Sequence, residues 1–203
     1  LQMMQYNKGN LQKYHTKNPL KRFMINYFEQ KLLNVVASLN LQNHEILDAG
    51  CGEGFIAGML HAQNSQAHIF AFDYQQKSID YAKEHQSQAI NFSVGDICGI
   101  NFADKALDLV CCTEVLEHLP DPAKAVAELL RVADKYVVLS VPNEPWFCLG
   151  NLISGKNISR LGNPVDHINH YTGRGFVKFL RQCGAVKIKT FNCLVWTIAV
   201  VEK

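Results

Sequence analysis

The chain has 203 residues, 48% of them hydrophobic, with a formal net charge of +2 and seven cysteines. That is enough apolar material for one well-filled core, and the length favours one domain spanning 1–203. The mild charge is not the basic footprint usual in a nucleic-acid protein, though it neither proves nor excludes RNA, and no apolar run approaches the ~20 residues of a membrane span, so no bilayer is expected as partner.

The odd cysteine count, without a C-x-x-C pair, describes reduced core thiols of a cytoplasmic protein. The chain begins at Leu1, not Met, and its first residues are left out of fold reasoning. Residues 5–18 are polar and broken by Gly9 and Asn18-Pro19, which predicts an irregular arm in which Tyr14, His15 and Asn18 are candidates for a substrate-facing lid. From Leu20, apolar residues including Phe23, Met24, Tyr27, Phe28, Leu32, Val35 and Val36 recur at steps of three and four. A helix to about Ser38 with that face inward is expected, completing an amino-terminal arm and helix over 1–43.

Ile46-Leu47-Asp48-Ala49 reads as a buried strand that stops in Gly50-Cys51-Gly52-Glu53-Gly54, before a helix over 55–63. Glycine permits positive φ and close approach of a ligand to the main chain, and the helix start offers unpaired N–H groups. Strands follow at 67–72, 90–94, 107–112 and 136–141, alternating with helices at 78–85 and 123–132. Apolar strands alternating with helices predict an α/β fold with a Rossmann-like, doubly wound and mostly parallel sheet. Pro142 to Asn169 has no clear period and reads as a long loop with a short helix, so 143–172 is expected to be a lid-like insertion. A helix over 173–183 and two β-rich runs at 186–191 and 194–201, joined at Asn192-Cys193, predict an antiparallel carboxyl-terminal hairpin at the sheet edge.

Ligands of such sheets bind at the carboxyl ends of the strands, where Asp48, Asp73 and Asp96 all fall. Each alone is equally a turn former or a helix cap; three in succession suggest a shared crevice. The glycine spacing departs from G-x-G-x-x-G, because Gly54 comes one residue early, and this disfavours a hydride-transferring dinucleotide enzyme.

The series LDAGCGEG, AFDYQ, VGDI, DLVCCTEVLEHLPDP and YVVLSVPNE, from about Glu45 to Pro142, resembles the class I S-adenosylmethionine-dependent methyltransferases. The resemblance implies that Asp48, Gly50, Cys51, Gly52 and Gly54 line the methionine part of the donor. It implies further that Asp73 holds the ribose hydroxyls, that Tyr74 packs on adenine, that Asp96 and the Ile97 backbone meet its amino edge, and that Thr113 lies near the sulfonium. Methyl transfer needs chiefly alignment, with a base where the acceptor must lose a proton; His118 and His167 are the catalytic candidates, and His170 lies in the same insertion.

Glu114, Glu117 and His118 stand at i, i+3 and i+4, so on a helical turn they would share a face. Such carboxylates brace or cap a helix in many members of the family. Together with His167 they also suit Mg²⁺, and E-x-x-E-H is similar to segments in ubiquinone-pathway O-methyltransferases and in small-RNA 3′-terminal ribose 2′-O-methyltransferases. Asp166-His167, Tyr171-Thr172 and Phe176 partly echo the second branch. The absence of an N-P-P-Y-type run disfavours methylation of a nucleobase nitrogen. The expected function is S-adenosylmethionine-dependent methylation of a small molecule, with oxygen as acceptor atom; a metal-dependent RNA 2′-O-methyltransferase and a non-catalytic S-adenosylmethionine-binding module stay open.

Overall fold

The structure is a computed structural model and describes residues 9–41, 44–153, 161–164 and 166–203. Seven strands form one sheet of order β3-β2-β1-β4-β5-β7-β6. The chain divides into two compact units, Leu1–Asp96 and Ile97–Lys203.

The first unit begins with a short helix, α1 (Gly9–Tyr14), where the polar composition had predicted irregular chain. Helix α2 (Pro19–Ala37) starts where Asn18 Oδ1 accepts from the Lys21 N–H and proline fills the first helical position. The side chain of Asn18 is therefore spent on a cap rather than held out as a lid contact. Helix α2 buries Ile25, Phe28, Leu32, Val35 and Val36, whereas Leu20, Phe23 and Tyr27 are exposed. The expected inward face is thus rotated: apolar residues occupy more than one side of this helix, and the stripe through Ile25 and Phe28 is the one that packs.

Strand β1 (Glu45–Ala49) leads through the glycine turn into α3 (Phe55–Gln63), then β2 (His68–Asp73), α4 (Gln76–His85) and β3 (Asn91–Val94). Both strand pairs are parallel, with Ala49 opposite Phe72 and Asp73 opposite Val94, so the crossovers bring the strand ends to one side.

The second unit contains β4 (Leu107–Thr113), a one-turn 3₁₀ segment (Leu116–His118), α5 (Pro122–Val132), β5 (Ala133–Pro142), α6 (Trp146–Ile153), α7 (Gly173–Gln182), β6 (Lys187–Cys193) and β7 (Trp196–Glu202). Asp121 caps α5 by accepting from the Lys124 N–H, and Thr172 caps α7 through Gly175. Strands β4 and β5 are parallel and largely buried on both faces, as helix-covered strands must be. The carboxyl-terminal hairpin is antiparallel as predicted, but β7 lies between β5 and β6, and the turn sits at 194–195 instead of Asn192-Cys193. Asn192 is held in register opposite Thr197, and Leu194 takes φ 53° to close the turn. All seven cysteines are free thiols; Cys51, Cys111, Cys112 and Cys193 are buried, while Cys98, Cys148 and Cys183 are only half-buried. No helix among the described residues is long and apolar enough to cross a membrane.

Candidate functional site

In the first unit, Gly50, Gly52 and Gly54 take φ of 79°, 52° and 77°. These values belong to the left-handed region, where a Cβ is penalised. The Gly50 and Cys51 N–H groups both donate to the Phe72 carbonyl, at 2.8 and 2.9 Å, so the end of β2 fastens the loop. A Cβ on Gly54 would lie 2.8 Å from Phe92 Cε1 and 3.1 Å from Ala82 Cβ. Gly54→Ala should therefore lower stability by about 2 kcal/mol, from the backbone penalty plus displacement of the Phe92 ring. Urea unfolding checks this, and an unchanged midpoint would contradict it.

Asp73 clamps the same loop. Its Oδ2 accepts from the Gly52 N–H at 2.9 Å and its Oδ1 from the Gln75 N–H at 2.8 Å. Partial burial raises its pKa, and these two bonds oppose the rise. Asp48 is 1% exposed, and neither carboxylate oxygen makes a hydrogen bond among the described residues. Burial pushes its pKa up to about 7; the Ala57 N–H dipole, though not in hydrogen-bond geometry, opposes this, and the nearby Asp73 charge adds to it. Cys51 donates its thiol to the Gly52 carbonyl at 3.6 Å, and burial drives its pKa upward, so it is a neutral wall of the loop rather than a nucleophile. Tyr74 is 64% exposed, its ring open to stacking. Asp96 is exposed, and Ile97, the first residue of the second unit, is buried. In the arm, Tyr14 stacks on Phe55 with ring centroids 4.0 Å apart, beside a cleft of about 240 Å³ lined by Lys13, Arg22, Asn26 and Glu29. His15 is exposed.

In the second unit, Thr113 ends β4 opposite Ser140. The chain then bends sharply: Glu114 takes φ 58° and donates its N–H to the Ser140 carbonyl. This conformation breaks the helical spacing on which a shared face of Glu114, Glu117 and His118 depended. The Glu114 carboxylate accepts instead from Ser140 Oγ and Trp196 Nε1.

Glu117, His118 and His167 do come together, each offering one donor atom within 4.8 Å of the others. Glu117 is 1% exposed. His118 Nδ1 lies 2.9 Å from the Asp166 carbonyl. A carbonyl only accepts, so Nδ1 carries the proton and the neutral ring keeps its lone pair on Nε2. His167 meets the His118 ring edge-on at 5.0 Å and stacks on Phe147 at 5.4 Å. Its Nδ1 is buried and has no hydrogen-bond partner among the described residues. Burial lowers its pKa to about 4, with His118 and His170 acting in the same direction and Asp166 against, so the ring is neutral near pH 7. His170 stands outside the group, next to Asn163 and Glu144.

Sequence reasoning missed Asn169. Its backbone N–H and that of Ile168 both donate to the Glu117 carbonyl, and its side-chain amide donates to the carbonyls of Leu116 and Leu119. This pins residues 168–169 to the 3₁₀ turn and sets His167 beside Glu117. An asparagine in a loop gives no sign in the sequence of which distant carbonyls it will meet.

A Rossmann-like sheet carrying a positive-φ glycine loop after β1 and an acidic residue at the end of β2 defines a nucleotide-type cofactor fold. Residues 47–139 match the family model described as a methyltransferase domain. It is 30% identical over 121 residues to a ubiquinone biosynthesis O-methyltransferase of Coxiella burnetii, covering 58% of this chain and 47% of that one. The protein of the same description from Methylococcus capsulatus is 30% identical over 129 residues, covering 62% and 49%. The chain thus spans about half the length of these curated relatives. The crystal structure of magnesium protoporphyrin IX methyltransferase from Synechocystis, with bound SAH, superposes with a TM-score of 0.68 at 19% identity, covering 95% of this chain and 90% of that one, and shares its fold.

Proposed function

We propose that the chain is an S-adenosylmethionine-dependent methyltransferase that methylates an oxygen of a small molecule. The observation that carries this reading is the glycine loop with three positive-φ residues clamped by Asp73 and backed by the buried Asp48. The match to a methyltransferase domain supports donor binding at this loop, and the relatives' names favour an oxygen acceptor. In this reading Asp48, Gly50, Cys51, Gly52 and Gly54 line the methionine portion, Asp73 receives the ribose hydroxyls and Tyr74 covers adenine, with Asp96 and Ile97 at the adenine edge and Thr113 near the sulfonium.

Glu117, His118 and His167 would hold a divalent cation. The donor set fits one: a buried carboxylate, an imidazole whose Nε2 lone pair is fixed by its carbonyl contact, and a neutral imidazole with an orphaned buried Nδ1. A bound Mg²⁺ would polarise the acceptor hydroxyl and hold a neighbouring one. The protein's own part is positional: Asn169 sets the insertion, and Phe147 backs His167. The methyl carbon leaves sulfur for the acceptor oxygen, giving S-adenosylhomocysteine, and the hydroxyl proton passes to solvent water.

A second reading, favoured by the tautomer of His118 that leaves a lone pair on Nε2, needs no metal: its Nε2 takes that proton directly. A methyl-transfer screen with vicinal-hydroxyl phenols and short RNAs, run with EDTA and with Mg²⁺, tests both. We expect S-adenosylhomocysteine from a phenol, abolished by chelation and restored by Mg²⁺. Activity surviving exhaustive chelation would leave His118 as the base, and turnover confined to RNA 3′ ends would move the substrate to nucleic acid. Donor binding without turnover on any acceptor would indicate a binding module.

A further inference from the structure

We infer that Glu114 is a positioning residue, not a metal ligand: through the Trp196 indole and the Phe147 ring it sets the place of the His167 imidazole. This rests on the reading of Glu117, His118 and His167 as the acceptor-side centre, but its geometry stands by itself. Three observations carry it.

The first is the backbone of Glu114. A non-glycine residue at φ 58° is strained, and strain of this kind persists where surrounding contacts demand it. The demand is visible in the second observation: the carboxylate accepts from Ser140 Oγ at 3.2 Å and from the Trp196 indole N–H. Trp196 is 5% exposed, and a buried indole N–H needs an acceptor; a carboxylate supplies a charge-assisted one. The third is an uninterrupted run of ring contacts leading away from that bond. Trp196 meets Phe147 edge-on at 6.2 Å, Phe147 stacks on His167 at 5.4 Å, and His167 meets His118 at 5.0 Å. Removing the acceptor at one end of this series takes away the carboxylate that orients the indole N–H, and the indole is then able to turn. Phe147, and with it His167, loses its backing.

The experiment compares the full chain with Glu114→Gln, Glu114→Ala, Phe147→Leu and Glu117→Gln. The positional readout is the NMR shift of the His167 ring Hε1, assigned by its disappearance in His167→Gln and sensitive to the ring current of the stacked Phe147. Glu114→Gln, whose amide oxygen still accepts from the indole, should keep the parent shift. Glu114→Ala should move it toward the unstacked value, as Phe147→Leu does by removing the ring. An unmoved resonance in Glu114→Ala would overturn the proposal, whether or not the protein binds a metal.

Mn²⁺ titration then separates positioning from ligation. Glu114→Ala and Phe147→Leu should bind Mn²⁺ about 10- to 100-fold more weakly, the usual cost of losing an outer support, with Glu114→Gln close to the parent and Glu117→Gln the weakest of all. Glu114→Gln falling as far as Glu117→Gln would overturn the assignment and make Glu114 a ligand. Should the parent bind no Mn²⁺, the cation reading fails, and the Hε1 shifts alone decide the role of Glu114.

Discussion

At pH 8, Asp48→Asn should be more stable than the parent by up to about 4 kcal/mol, with the gain gone near pH 4. The carboxyl has a pKa of about 7 in the folded protein, against its ordinary value of 3.8. Between those values the folded state holds a proton that the unfolded chain has released, so folding stability falls as pH rises from about 4 to about 7 and is flat above. A difference near three pH units corresponds to about 4 kcal/mol at ~1.4 kcal/mol per unit, an upper figure because the surroundings relax. An asparagine has no charge to desolvate and escapes this loss. Urea unfolding at pH 5 and pH 8 measures it; a gain of equal size at both would mean that the Asp48 charge is not the cause. The stabilised variant should also bind S-adenosylmethionine less tightly, since the proposed role of Asp48 is to face the cationic methionine portion. A residue that weakens the empty fold while serving a ligand is a common form of the trade between stability and activity.

The second large effect is expected at Asp73. Replacement by alanine should weaken S-adenosylmethionine binding about 10- to 150-fold, the ~1.5–3 kcal/mol of a lost charged hydrogen-bond acceptor. Isothermal titration calorimetry measures it, and unaltered affinity would count against the donor assignment of the whole loop. The carboxylate has two tasks, because it already accepts from Gly52 and Gln75 within the loop. Asp73→Asn, keeping one oxygen, should satisfy one of those N–H groups and fall between parent and alanine. Asp73→Ala should also unfold earlier in the absence of donor, with two backbone donors left to water.

Much of the fold could be read from the residues alone, for physical reasons specific to each element. The helix at Phe55–Gln63 was placed to the residue because the glycine turn leaves the chain no other start and Asn64 ends it. The strand at Leu107–Thr113 was legible because a strand covered on both faces is a continuous apolar run. Misreadings arose where local rules met tertiary demands. Asn192-Cys193 has the better turn chemistry, yet β6 keeps its pairing through Cys193 opposite Trp196 and passes the turn to Leu194. Glu114 fell on a helical face only while its backbone was assumed regular; φ 58° removes it from that face. His167 could be anticipated beside His118 from family likeness, whereas the supports from Asn169, Phe147 and Trp196 join residues far apart in the chain and leave no periodic trace.

The attachment of the insertion through Asn169 has an evolutionary corollary. Every partner of Asn169 described above is a main-chain carbonyl, of Leu116, Glu117 or Leu119, and main-chain carbonyls do not change when side chains do. The chain around position 169 can therefore accumulate substitutions without losing this mooring, provided that one asparagine is retained. If the proposed function holds, selection for a different acceptor would be constrained at Phe147 and His167 by their side chains and at Asn169 by its carbonyl partners.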